Sequence, residues 1–353
     1  MNVPAGPRSS PAWADFPAAE YSRRIAAAQA GMLEAGIDLL LLTQRQNIVY
    51  FTGLQSGHWV VQKLPTALLL LSCRQDPVLI VPAHFASTVR GTTWVEHLEF
   101  FADPRDPSRS VSTVVSQAIL QLAGPAAVIG LELGDSLVPR WDLADYQAIR
   151  DAIPEATFTA GADVIWSCRM VKSRLEIDRL RAVARLTERA MLAVRDELRE
   201  GMTEREIATR LAVNAFDLGA DDVVLSAIRC GRDRYSMADS LPTDRPIGPN
   251  EMLILHPGFA MRSYVSALSH HTYVGRPTRQ HREAWATIVR VHEAVLEALH
   301  PGATARDAFD ASHRIMVECG WGAVAGPAGH GIGLDLVEPP YLVATDDRPL
   351  QPG

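Results

Sequence analysis

Four short, uninterrupted apolar runs constrain the first half of the chain: Ile37 to Leu42, Ala67 to Leu71, Val78 to Val81 and Ala127 to Leu131. A run of four to eight apolar residues with no polar alternation is the pattern of a strand buried on both faces, because neither face tolerates a polar side chain. Helix-like stretches flank these runs: Tyr21 to Ala35, stopped by Gly36, then Val111 to Leu122 and Trp141 to Ile153. Arg74-Gln75-Asp76-Pro77 reads as a turn between two of the strands. This alternation predicts an α/β domain with a mainly parallel or mixed sheet.

Near residue 160 the texture changes. A long helical pattern from Ser173 places Ile177, Leu180, Val183 and Leu186 on one face and meets no glycine or proline until Gly201. A second helix begins at Thr203, where Thr203-Glu204-Arg205-Glu206 reads as a capping box. Two more are predicted over Arg282 to Leu299 and Ala305 to Cys319, with strand-like segments at Val223 to Ile228, Met252 to Leu255 and Ser263 to Val274. That mixture predicts an α+β domain. At about 150 residues per domain, 353 residues accommodate two, and we place them at 1–163 and 164–353.

Composition narrows the function classes. The chain carries 34 Lys and Arg against 41 Asp and Glu, a net charge of −7, so neither nucleic acid nor an anionic membrane is expected as a partner. The cysteines, Cys73, Cys168, Cys230 and Cys319, are widely spaced and form no CxxC pair, which points to reduced thiols and a cytoplasmic setting. The apolar runs fall far short of the roughly 20 residues that span a bilayer, and the N-terminal segment lacks a basic stretch followed by an apolar one, so no signal peptide is expected.

The motifs of the second half come in a fixed order. Met170-Val171-Lys172-Ser173 precedes Glu176-Ile177, and Asn250-Glu251-Met252-Leu253-Ile254-Leu255-His256-Pro257-Gly258 follows. Next come Tyr264, Tyr273-Val274-Gly275, Gly329-His330-Gly331-Ile332-Gly333-Leu334 and Glu338-Pro339. This set resembles the pita-bread family, which includes creatinase, aminopeptidase P, prolidase, methionine aminopeptidase and ectoine hydrolase. In the first half, Asn47-Ile48-Val49-Tyr50-Phe51-Thr52-Gly53 resembles the N-terminal domain of the creatinase and aminopeptidase P branch. The resemblance spans nearly the whole chain and implies an α/β creatinase-like N-terminal domain followed by an α+β pita-bread domain.

The same resemblance implies a departure in chemistry. Its metallopeptidase branch holds two metal ions with two Asp, one His and two Glu, and a metal-bound water serves as nucleophile. By that correspondence the first Asp position is His256, in the turn-prone His256-Pro257-Gly258, and the second, eleven residues on, is Ala267. The His position is kept as His330. A substrate-facing His becomes Asp239, and a second His, before the Glu-Pro pair, becomes Val337. The family commonly continues past the position of Gly353 through strands that supply a further carboxylate. Alanine cannot ligate a metal, so no metal and no other cofactor is expected at these positions.

Candidate site residues follow from these positions. His256 and His330 are expected to transfer protons, their unperturbed pKa of about 6.5 suiting them to it. Glu338 is expected to orient one of them, and His271 or Asp239 to assist; for Asp239 a turn role is the alternative. Adjacent strand residues face opposite ways, so of His270 and His271 only one looks into the pocket, and counting from Ala267 that is His271, with Ser269. Arg229 and Arg232, with Arg234 close by, are expected to hold a substrate carboxylate. Tyr264, Ser269 and His270 are further substrate-binding candidates, and in the first domain His58 and Trp59 match loosely a loop that reaches the partner subunit's site in the creatinase branch.

The resulting expectation is a metal-independent, creatinase-like hydrolase of an amide, amidine or ureido C–N bond in a small polar molecule, acting as a homodimer. A lyase and a non-catalytic binding module are the alternatives. A single zinc held by His256, His271 and His330 is a further possibility, and an Xaa-Pro metallopeptidase is the least favoured reading.

Overall fold

The computed structural model describes residues 15–60, 67–102, 109–238, 240–322 and 326–353. The chain divides into two compact units at Arg169/Met170. In the first unit the order is α1 (Ala18–Ala35), β1 (Leu39–Leu42), α2 (Arg45–Thr52), β2 (Leu68–Ser72), β3 (Val78–Pro82), α3 (Ala86–Thr92), β4 (His97–Phe101), α4 (Val111–Ala123), β5 (Val128–Leu131), α5 (Leu143–Ala152), β6 (Thr157–Ala160) and α6 (Ala162–Met170). The six strands lie in the order β4-β3-β2-β1-β5-β6. Pairs β1–β5, β5–β6 and β3–β4 are parallel, and β1–β2 and β2–β3 antiparallel. This is the mixed sheet that the apolar runs predict. Leu39 to Leu42 are all buried, and Leu39, Leu41, Leu70 and Ile129 meet Val115 and Ile119 of α4 in the core.

The Asn47-to-Gly53 segment explains itself here. Asn47 donates to the fully buried carboxylate of Glu132 at 2.6 Å and accepts from the Arg169 guanidinium at 2.7 Å. Glu132 also accepts from the backbone and hydroxyl of Thr43 and from the backbone of Gln44. Gly53 turns with φ 67°, and a Cβ there would lie 2.6 Å from the Tyr21 hydroxyl, so only glycine fits.

The second unit comprises α7 (Arg174–Glu197), α8 (Glu204–Asp217), β7 (Asp222–Cys230), β8 (Glu251–Met261), β9 (Tyr264–Ala267), β10 (His270–Val274), α9 (Arg279–Ala298), α10 (Ala305–Glu318), β11 (His330–Gly331) and β12 (Glu338–Tyr341). Capping boxes start α7 at Ser173/Glu176, α8 at Thr203/Glu206 and α10 at Thr304/Asp307. Strand β8 is central: β7 pairs along one edge, and β10 and β9 share the other, all antiparallel. The strand expected over Ser263 to Val274 is therefore two strands, with Leu268 and Ser269 between them. Likewise β8 runs straight through His256-Pro257-Gly258 instead of turning there. Pro257 brings no N–H, and its carbonyl points to Leu268 at the seam between β9 and β10. A missing donor at such a seam breaks no ladder bond, which is why proline is tolerated inside a central strand.

One face of this sheet is covered. Ile228, Cys230, Leu253, Leu255 and Phe259 pack on Leu186, Met191 and Val194 of α7 and Ile207 and Leu211 of α8. Among the described residues no helix is long and apolar enough to cross a membrane.

Candidate functional site

Alternation along the strands sends every second residue to the face turned away from α7 and α8, against part of which Gly333 and Leu336 pack. Ile254 of β8 stands opposite Arg229 of β7 on one side and His271 of β10 on the other, so these three form one row across that face. His256 stands two residues along β8, about 6.6 Å away, opposite Ala227, and Gly258 after it stands opposite Ala267 of β9. Ala267, His256, Arg229 and His271 thus share this second face. His270 pairs with Leu255 and belongs to the helix-covered side, as does Ser266, whose hydroxyl bonds to Thr187 of α7 at 2.5 Å.

Arg229 is 7% exposed, and its Nε and Nη1 are buried without a hydrogen-bond partner. His271 has its pKa lowered, first by partial desolvation, then by the Arg229 charge, with His270 and His256 contributing less. Its ring stands edge-on to Trp285 of α9, 6.4 Å between centroids. A histidine held below its ordinary value is neutral over more of the acid range, and the stability linked to it falls as pH drops below the unfolded value of about 6.5. In an NMR titration His271 is expected to protonate below that value in the native chain and closer to it in Arg229→Met; identical titration in both would show that the guanidinium does not act on it.

The other candidates are placed differently. The arginines do not form one patch. Arg229 lies on the sheet face, and Arg232 is exposed in a cleft of about 930 Å³ with Tyr235, Glu251 and His281. Arg234 donates to the buried Glu204 carboxylate at 3.2 Å and to Leu241 O. The end of β7 and the turn after Gly231 separate residues that are neighbours in sequence. Burial pushes the Glu204 carboxyl up, but hydrogen bonds from Cys230 and Thr243 and the Arg234 charge more than offset it, and the net shift is down. The Cys230 thiol is pushed up to about 12, chiefly by burial, so it is inert at neutral pH. Tyr264 is buried and donates to Glu176 at 2.8 Å, tying β9 to α7. Ser269 is exposed at the seam between β9 and β10. Trp59 has its indole N–H buried with no acceptor among the described residues. Asp239 lies outside the described residues, as does the side chain of His58.

His330 is exposed on β11, its Nδ1 2.8 Å from the carbonyl oxygen of Gly331. Glu338 is buried on β12; its Oε1 accepts from the backbones of Leu334 and Asp335 at 2.9 and 3.0 Å, and its Oε2 faces the Lys172 ammonium at 3.4 Å. That geometry anchors the turn. The glycines around His330 also have a packing reason: a Cβ on Gly331 would lie 2.5 Å from the backbone oxygen of Pro339, and one on Gly333 would lie 2.7 Å from the Glu338 carboxylate. Gly331→Ala is expected to cost about 1–3 kcal/mol through that overlap, read as a lower urea midpoint; an unchanged midpoint would mean that β12 yields freely.

A second cleft, of about 810 Å³, reaches Ala267 and Gly331 and is lined by Lys172, Arg181, His300 and Arg348, with no acidic side chain among its described lining residues.

Comparison with known proteins fits this geometry. Residues 24–171 match the Creatinase/Prolidase N-terminal domain and residues 178–353 match Metallopeptidase family M24. The chain belongs to the pita-bread family. It is 26% identical over 343 residues to a probable dipeptidase PepE of Mycobacterium tuberculosis, covering 96% of this chain and 86% of that one. Among solved structures it is similar to prolidase from Thermococcus sibiricus (TM-score 0.82, 20% identity, 94% of this chain and 87% of that one). It is also similar to dipeptidase PepE from Mycobacterium ulcerans (TM-score 0.79, 23% identity, 95% and 86%). These likenesses confirm the fold expected from the sequence.

They also correct the functional expectation. A metal-independent creatinase-like hydrolase, with a peptidase placed last, does not agree with relatives that are named dipeptidases and prolidase and that match almost end to end. The expectation gave the substituted positions His256, Ala267, Asp239 and Val337 more weight than the relationship of the whole chain.

The metal centre that the family name implies can be tested against the residues. Among the described residues no group of three or more His, Cys, Asp or Glu side chains converges. The face turned away from the helices instead carries a buried cation, Arg229, whose Nε and Nη1 lack an acceptor among the described residues, beside His256 and Ala267. Divalent ions seek carboxylate and imidazole donors and are repelled by a guanidinium. The described residues therefore do not fit a dinuclear metal centre.

Proposed function

We propose that this pita-bread chain is a hydrolase that cleaves the C–N bond of a small peptide, with the face of β7–β8–β10 turned away from α7 and α8 as its site. The observation that carries this reading is the near end-to-end match to a protein named a dipeptidase. The sheet face supports it, since it gathers His256 and His271, groups able to accept or donate a proton near neutral pH, beside a cation. On this reading His256 exchanges protons with the attacking water or the departing amine. A homodimer and a cytoplasmic location belong to the same proposal; light scattering on the eluting protein reads the first.

The test is amino-acid release from a panel of dipeptides, Xaa-Pro included, run with EDTA and with added Mn²⁺ or Zn²⁺. Release from at least one dipeptide in one of these conditions is the expected result. No release from any dipeptide in any of them overturns the proposal.

A further inference from the structure

The face turned away from α7 and α8 holds one buried group that the described residues leave unanswered. Arg229 is buried, its Nε and Nη1 have no acceptor, and an arginine side chain does not shed its proton to escape the cost of burial. Across the described strands, its neighbours on this face are Ala227, Ile254, His256 and His271, none of them anionic, and the acid that shares the face, Asp222, stands opposite Ala260 at the far end of β8. Arg234, by contrast, is matched to the Glu204 carboxylate. Among the described residues none supplies an acceptor to these two nitrogens of Arg229, so an anion bound from outside would answer them.

We propose that this face is a carboxylate-binding site built on Arg229, and that the carboxylate it takes is the free C-terminus of a short peptide. A guanidinium presents paired N–H groups to the two oxygens of a planar carboxylate, whereas His256 and His271 flank it as hydrogen-bonding groups. Dipeptides end in such a group one residue from the scissile bond, so an anchor in the Arg229–Ile254–His271 row leaves that bond within reach of His256, two residues along β8. The inference deepens the hydrolase reading and rests on it for the identity of the anion.

Binding without turnover separates the two. N-acetylglycine carries the carboxylate and no free amine; N-acetylglycinamide is its neutral counterpart; inorganic phosphate reports a site for any oxyanion. Measured by thermal shift and by NMR titration of the histidine rings, N-acetylglycine is expected to raise the Tm in a concentration-dependent way, and the amide to leave it unchanged. Arg229→Met is expected to weaken N-acetylglycine binding at least tenfold while raising the Tm of the ligand-free protein, because it removes a buried charge; Arg229→Lys is expected to retain part of the binding. Equal shifts from acid and amide overturn the proposal, as does binding to Arg229→Met within twofold of the native chain, or phosphate binding that N-acetylglycine does not displace. Carboxylate binding that depends on Arg229, in a protein that cleaves no dipeptide, would keep this site and remove the hydrolase reading.

Discussion

Replacing His256 with alanine is expected to lower kcat for a cleaved dipeptide by about 10²–10⁴-fold, the range for loss of a proton-transfer group, with KM changed little. The split between the two constants carries the argument. His256 sits two residues along β8 from the row that holds Arg229 and His271, so it can act on the reacting bond without being the main anchor for the substrate. A variant within threefold of the native kcat would remove His256 from the chemistry. A change confined to KM would make it a binding group.

The second large effect falls in the first unit and concerns stability. Asn47→Leu removes a donor from Glu132 and an acceptor from Arg169, leaving a buried carboxylate and a buried guanidinium each short of a partner. Breaking such a network typically costs about 3–5 kcal/mol. Urea denaturation of the full chain is expected to show the loss as an earlier transition, and a change below about 1 kcal/mol would mean that neighbouring groups re-form the network.

The sequence made some elements plain and hid others, for physical reasons. Strands β1, β2, β3 and β5 are visible because both their faces are buried and every residue is therefore apolar. The starts of α7 and α8 are visible because their caps are written in side chains, Ser173/Glu176 and Thr203/Glu206. Strands β4 and β6 went unnoticed because they are sheet edges with partly exposed residues and no apolar run. Helix α2 was missed for the opposite reason, as Asn47 to Thr52 are all buried and leave no polar stripe.

The site was legible in part. Counting along the strand from Ala267 sends His271 to the face it occupies, but Pro257-Gly258 suggested a turn where β8 continues. Three arginines close in sequence suggested one patch, where the end of β7 sends them to three surroundings. That Arg229 lacks an acceptor is a tertiary fact, invisible until the neighbouring strands are in register.

The two faces of the second sheet lead different lives. Residues 228, 230, 253 and 255 face the helices and answer to packing there, whereas 227, 229, 254 and 256, their immediate neighbours, turn to the opposite side. A change at 229, 256, 267 or 271 removes no side chain from the core that holds the sheet to α7 and α8. The two-residue alternation of the backbone thus lets a side chain of the second face be exchanged without opening a hole in the layer between sheet and helices.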